Sequence, residues 1–145
     1  EISECLVGSE MCIRDRCSEI QRVLTPGGKL ICSTYGKKHM QEVSRLVRDF
    51  DDRIVLSADK LYERFGRENG ADILAPYFSR IFWESYKDSL LVPDAEPLIS
   101  YILSCHGNQN QYLLDKYKDF RGFVSRKTKD GFFITKDAGI FLCEK

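Results

Sequence analysis

A chain of 145 residues, 43% hydrophobic and 12% aromatic, has enough apolar material for one domain with a buried core, which excludes an intrinsically disordered segment. Its 22 basic side chains cancel its 22 acidic ones, so no net field recruits nucleic acid or an anionic membrane. No apolar run approaches the roughly 20 residues of a bilayer span, and the amino terminus lacks the basic, apolar, small-residue order of a signal peptide; the expected compartment is the cytoplasm.

The opening stretch Glu1 to Arg16, EISECLVGSEMCIRDR, shows no helical or strand periodicity and leads abruptly into an ordinary amphipathic segment. The run CLVGSEMCIRDR resembles the conceptual translation of a transposon-type adapter used to build sequencing libraries, and EISE fits the primer and index ahead of it. Such a scar is set aside from fold reasoning, so residues 1–16 form one expected non-native segment and residues 17–145 the expected domain. Removing Glu1, Glu4, Glu10 and Asp15 against Arg14 and Arg16 leaves 20 basic and 18 acidic side chains, and Cys5 and Cys12 leave the cysteine argument. The reading also implies a natural frame that begins upstream.

From Cys17 to Leu24, apolar Ile20, Val23 and Leu24 recur at i, i+3 and i+4, the pattern of a short helix with one buried face. Thr25-Pro26-Gly27-Gly28 ends it, because proline removes a backbone donor and glycine permits left-handed turns. Lys29 to Ser33 is then a short apolar run bounded by turn signals, as expected of a strand buried on both faces of a parallel sheet. Met40, Val43, Leu46, Val47 and Phe50 lie at helical spacing and predict a helix that packs back on that sheet.

Leu56 to Phe65 and Gly70 to Phe78 permit short helices around a turn-rich loop, Arg64 to Gly70, and the segment around 57–78 is lid-like. Alternation from Arg80 to Tyr86 predicts a strand. Pro93 and Asp94 start a helix with Leu98, Ile99, Ile102 and Leu103 on its apolar face; after a break at His106-Gly107-Asn108, Tyr112 to Val124 gives one more. Phe132 to Thr135 and Gly139 to Cys143 flank Lys136-Asp137-Ala138 as a hairpin-like ending.

The six cysteines form no CxxC pair, and Cys32 and Cys143 sit in apolar runs, so buried reduced thiols are expected. His39 and His106 have no ligand-forming neighbours at metal spacing, and no metal site is expected.

The string Glu19-Ile20-Gln21-Arg22-Val23-Leu24-Thr25-Pro26-Gly27-Gly28-Lys29-Leu30 resembles the "E-I-x-R-V-L-K-P-G-G-x-L" signature of class I S-adenosylmethionine (SAM)-dependent methyltransferases, which lies between their fourth and fifth strands. The likeness is specific from Cys17 to about Phe50 and architectural beyond it. It implies an α/β fold: the carboxyl-terminal part of a Rossmann-like sheet with flanking helices and an antiparallel terminal strand, the amino-terminal half missing. It implies SAM as cofactor, with the glycine-rich turn and the acidic ribose-binding residue upstream, so that no residue of this chain is assigned to SAM. Ser33 to Met40 resembles a subset acting on small molecules, which implies a small-molecule acceptor.

In an open α/β sheet the ligand crevice lies beyond the carboxyl ends of the strands. Thr34 to His39 leave one such end, which makes Thr34, Tyr35 and His39 candidate acceptor-binding residues, with Phe65 and Asn69 as candidates in a lid over the acceptor. Tyr77 and Trp83 are further aromatic candidates for a lid. Methyl transfer is a displacement that needs alignment and water exclusion, and a base only where the acceptor sheds a proton; His39 is the candidate catalytic base. Gly27 and Gly28 sit at the other end of the strand and are assigned to folding. The rival reading is a noncatalytic α+β protein-interaction module presenting the aromatics from Tyr101 to Phe123. A nucleic-acid partner is disfavoured, because the bases from Arg121 to Lys129 form only a short solvated run.

Overall fold

Gly27 takes φ 75°, and Gly28 donates its N–H to the Thr25 carbonyl at 2.8 Å, so the Thr25-Pro26-Gly27-Gly28 run reverses the chain within one turn. In the computed structural model, which describes residues 10–56 and 61–145, this turn joins α1 (Glu10–Val23) to β1 (Lys29–Tyr35). There follow α2 (Gln41–Phe50), α3 (Leu61–Arg64), α4 (Gly70–Leu74), β2 (Arg80–Val92), α5 (Ala95–Ser104), α6 (Gln109–Leu113), α7 (Tyr117–Thr128) and β3 (Phe132–Glu144).

The protein is α/β, with helices around a small, open, antiparallel sheet of order β1-β3-β2. The terminal strand β3 is central. It pairs antiparallel with β1 from Lys29↔Glu144 to Tyr35↔Ala138. On its other side Ser79 donates its N–H to the Glu144 carbonyl at 2.9 Å, beside the start of β2.

By their internal packing the described residues fall into two compact units, one within Glu1–Lys37, Leu61–Tyr86 and Ala138–Lys145, the other within Lys38–Lys60 and Lys87–Asp137. In the first unit Ile13, Cys17, Ile20 and Leu24, spaced as one helical stripe, lie in a core with Leu74, Phe78, Phe141 and Cys143. Ile13 carries that stripe, and α1 with it, back into the segment where the sequence shows no periodicity. In the second unit α2, α5 and α7 bury Val43, Leu46, Val47, Ile99, Ile102, Phe120 and Val124. The Phe50 ring meets Phe120 edge-on at 5.1 Å.

Several expectations change. β1 is not buried on both faces of a parallel sheet: half-buried Leu30, Cys32 and Thr34 alternate with exposed Lys29, Ile31 and Ser33, and its pairing is antiparallel. Alternation of this kind belongs to a sheet covered on one side. The hairpin-like ending is instead one continuous strand, because Lys136-Asp137-Ala138 is held extended. Asp137 Oδ2 accepts the Lys38 N–H at 3.3 Å, the Thr135 carbonyl accepts the Met40 N–H at 2.8 Å, and Ala138 is paired with Tyr35. β2 runs on past Tyr86 to Val92, and the helix expected from Tyr112 to Val124 is divided between α6 and α7. Of the lid-like segment, residues 57–60 lie outside the described residues; in the rest, Phe65, Leu74, Tyr77 and Phe78 line the first unit's core. Among the described residues no helix is long and apolar enough to cross a membrane.

Candidate functional site

Four of the five candidate binding residues converge in the first unit, at the carboxyl end of β1. The Thr34 hydroxyl donates to the Phe65 carbonyl at 2.7 Å, and Arg67 donates its N–H to the Tyr35 carbonyl at 3.2 Å. Glu68 Oε1 accepts the Lys37 N–H at 3.1 Å. The loop after α3 is thereby fastened to the segment in which β1 ends, a contact across 31 residues that no local spacing announces.

Asn69 shapes that loop. Its Oδ1 accepts the Gly66 N–H at 2.7 Å and its Nδ2 donates to the Glu63 carbonyl at 2.6 Å, so both ends of the amide serve the backbone. Gly70 follows because a Cβ there would meet the edge of the Phe141 ring, 2.7 Å from Cζ. Phe65 packs toward that same ring, with centroids 5.9 Å apart. Trp83 lies 4.7 Å from Phe141 and donates its Nε1–H to the Ser85 hydroxyl at 2.8 Å. Phe65, Tyr77 and Trp83 are therefore core aromatics, and Thr34 and Asn69 are loop-holding residues. Burial raises the Tyr35 phenol above its ordinary range, so it stays protonated at neutral pH.

His39 belongs to the second unit, on the connection into α2. Burial, and then the Lys136 ammonium, lower its pKa against the weaker opposing pull of Asp137, so the imidazole is neutral near pH 7 and able to accept a proton. The connection is pinned on both sides of His39 by the bonds from Lys38 and Met40 to β3. Met40 takes φ 53°, a left-handed conformation uncommon for a side-chain-bearing residue. Just beyond it, Glu42 Oε2 accepts the Thr135 N–H at 3.0 Å and Oε1 the Thr135 hydroxyl at 2.7 Å. Sequence spacing misses this staple, whose partners lie 93 residues apart.

At the carboxyl end of β1 the Thr34 hydroxyl, the Tyr35 carbonyl and the Lys37 N–H are thus all bonded to the 65–69 loop, the last through the Glu68 carboxylate. Among the described residues Cys17, Cys32, Cys105 and Cys143 are outside any disulfide, and no cluster of three or more His, Cys, Asp or Glu side chains could hold a metal ion. No protein-family model matches the chain, and a search of curated proteins returns no relative.

Proposed function

We propose that residues 17–145 are the carboxyl-terminal part of a Rossmann-like class I SAM-dependent methyltransferase that acts on a small-molecule acceptor. The observation that carries this reading is the combination of the Glu19 to Leu30 signature with a last strand, β3, that runs antiparallel to β1. The signature is divided between α1, the Pro-Gly-Gly turn and the start of β1, the arrangement that the resemblance implies. The positive φ of Gly27 and the 2.8 Å bond closing on Gly28 support a purely structural role for the turn.

In this reading SAM is gripped by residues upstream, and the carboxyl end of β1 in the first unit bears the acceptor-side candidates Thr34 and Tyr35. Burial keeps the Tyr35 phenol protonated. His39, neutral, is the residue suited to take a proton from an acceptor that must lose one. Thr34 and Asn69 act through the loop they hold. By the same reading the 145-residue chain neither binds SAM nor turns over.

Recovering the upstream reading frame from an untruncated transcript or gene tests the proposal. The expected sequence has a strand ending in a glycine-rich turn and, further on, an acidic residue closing a second strand. The extended protein should then show SAM binding by calorimetric titration where the 145-residue chain shows none. Natural upstream sequence with neither feature overturns the reading, as does micromolar SAM binding by the 145-residue chain alone.

A further inference from the structure

Asn69 is the one asparagine of the chain that precedes a glycine; Asn108 and Asn110 precede Gln109 and Gln111. An asparagine loses its side-chain nitrogen when the next backbone nitrogen attacks Cγ, and a following glycine, having no Cβ, hinders that attack least. Gly70 is not free to change. It is buried, and a Cβ there would stand 2.7 Å from Phe141 Cζ. Core packing in the first unit thus imposes the most reactive neighbour on Asn69.

The same loop restrains each group that the reaction needs. The Gly70 N–H, whose proton must leave before its nitrogen can attack, donates to the Gly66 carbonyl at 2.8 Å. The Asn69 amide is held at both ends, Oδ1 by the Gly66 N–H and Nδ2 on the Glu63 carbonyl. Asn69, at ψ −9°, leads directly into α4, where its own carbonyl accepts the Ile73 N–H at 3.1 Å. Ring closure therefore requires the 65–69 loop to open. The bonds from Thr34 to Phe65 and from Arg67 to Tyr35 oppose that opening by fastening the loop to β1.

We propose that the Asn69–Gly70 peptide is a deamidation site gated by the fold: it is preserved while the loop is fastened to β1 and converted when the loop opens. In the open loop hydroxide takes the Gly70 amide proton and the Gly70 nitrogen bonds to Asn69 Cγ. The bond from Cγ to Nδ2 breaks, and that nitrogen leaves as ammonia with a proton from water. Water then opens the cyclic imide on one side to aspartate or on the other to isoaspartate; nothing is oxidised or reduced. Aspartate keeps an acceptor for the Gly66 N–H but turns a carboxylate oxygen, with no proton to give, on the Glu63 carbonyl. Isoaspartate adds a methylene to the main chain beside Gly70, which has no room to shift toward Phe141. Either product holds the loop less firmly than Asn69 does, so the change runs one way.

The inference rests on the loop and not on the methyltransferase reading. Its test is peptide mass spectrometry of the 145-residue protein aged in mildly alkaline buffer, with and without guanidinium, aspartate and isoaspartate being separated by chromatography. In guanidinium Asn69 should convert ahead of Asn108 and Asn110. In buffer alone its conversion should be at least about tenfold slower. Thr34→Val removes the bond to the Phe65 carbonyl and should speed conversion in buffer about two- to tenfold, with the guanidinium rate unchanged. Asn69→Asp, the aspartate product made directly, should be cut by trypsin after Arg64 and Arg67 faster than the parent. Equal rates for Asn69 in buffer and guanidinium overturn the inference, whatever the variants do. So does a Thr34→Val rate in buffer no higher than the parent's, or an Asn69→Asp loop that resists trypsin as well as the parent's. None of these outcomes bears on the upstream reading frame.

Discussion

The carboxylate of Glu42, in the first turn of α2, accepts both the backbone N–H and the hydroxyl of Thr135 in β3. Partial burial pushes its pKa up, but the hydrogen bonds from Thr135, with help from Gln41 and its own amide, outweigh this and hold it below the ordinary 4.5. On acidification the unfolded carboxyl protonates first, so the stability Glu42 supplies is complete above about pH 4.5 and lost as pH falls through the lowered folded value. Glu42→Ala should lose about 1–3 kcal/mol at pH 7 in urea unfolding and decline less steeply with acid than the parent. Equal acid slopes for the two proteins would refute the account.

His39 titrates in a different window. Its folded pKa lies below the ordinary 6.5, so the unfolded imidazole binds a proton first. The stability that depends on its neutral form is intact above about pH 6.5 and falls as the solution is acidified below it. A proton NMR titration, with the C2–H signal assigned through His39→Gln, should give a midpoint under 6.5. A midpoint at or above that value would show that burial and Lys136 do not dominate.

Two glycines of the chain answer oppositely to alanine. A Cβ at Gly139 would press on the Glu84 carbonyl oxygen and stand 2.5 Å from Trp83 Cζ2, so the strands must separate or the ring must move. Gly139→Ala should cost roughly 1–3 kcal/mol. At Gly122, inside α7, the nearest atom is the flexible end of Arg126 at 3.7 Å. Gly122→Ala should gain about 0.5–1 kcal/mol from helix propensity and a less free unfolded chain. Thermal melts that shift in the same direction for both variants would contradict the packing described.

The core thiols should be sluggish. Burial raises the pKa of Cys17, Cys32 and Cys143, and Cys32, with the other two thiols beside it, is pushed up to about 11. At pH 8 its thiolate population, and with it the rate of alkylation, should be roughly a hundredfold lower than for an ordinary cysteine. Mass-spectrometric mapping after a short iodoacetamide pulse reads this directly. Native labelling of Cys32 as fast as in guanidinium would count against its placement.

The helices were the legible part of the sequence, because a helix writes its packing into local spacing. Val43, Leu46 and Val47 predict the buried face of α2, and Leu98, Ile99 and Ile102 that of α5. The sheet was less legible. Lys136-Asp137-Ala138 has the composition of a turn, yet bonds from Lys38 and Met40, far away in sequence, keep it extended. The candidate site divided along the same line. Thr34, Tyr35, Phe65 and Asn69 do come together, but Thr34 and Asn69 spend their side-chain bonds on backbone carbonyls and amides, which residue type alone does not reveal.

Trp83, packed on Phe141 beside Gly139, is the only tryptophan of the 145-residue chain, and it lies in the first unit. The second unit has tyrosines alone as long-wavelength chromophores, among them Tyr101, Tyr112 and Tyr117. Indole emission excited at the red edge is thus a private optical channel to one unit, whereas helical ellipticity is weighted toward the other, which holds α2, α5 and α7. Whether the protein melts in one cooperative step or two can be read from a single cuvette, without a label, by whether the two signals share a midpoint.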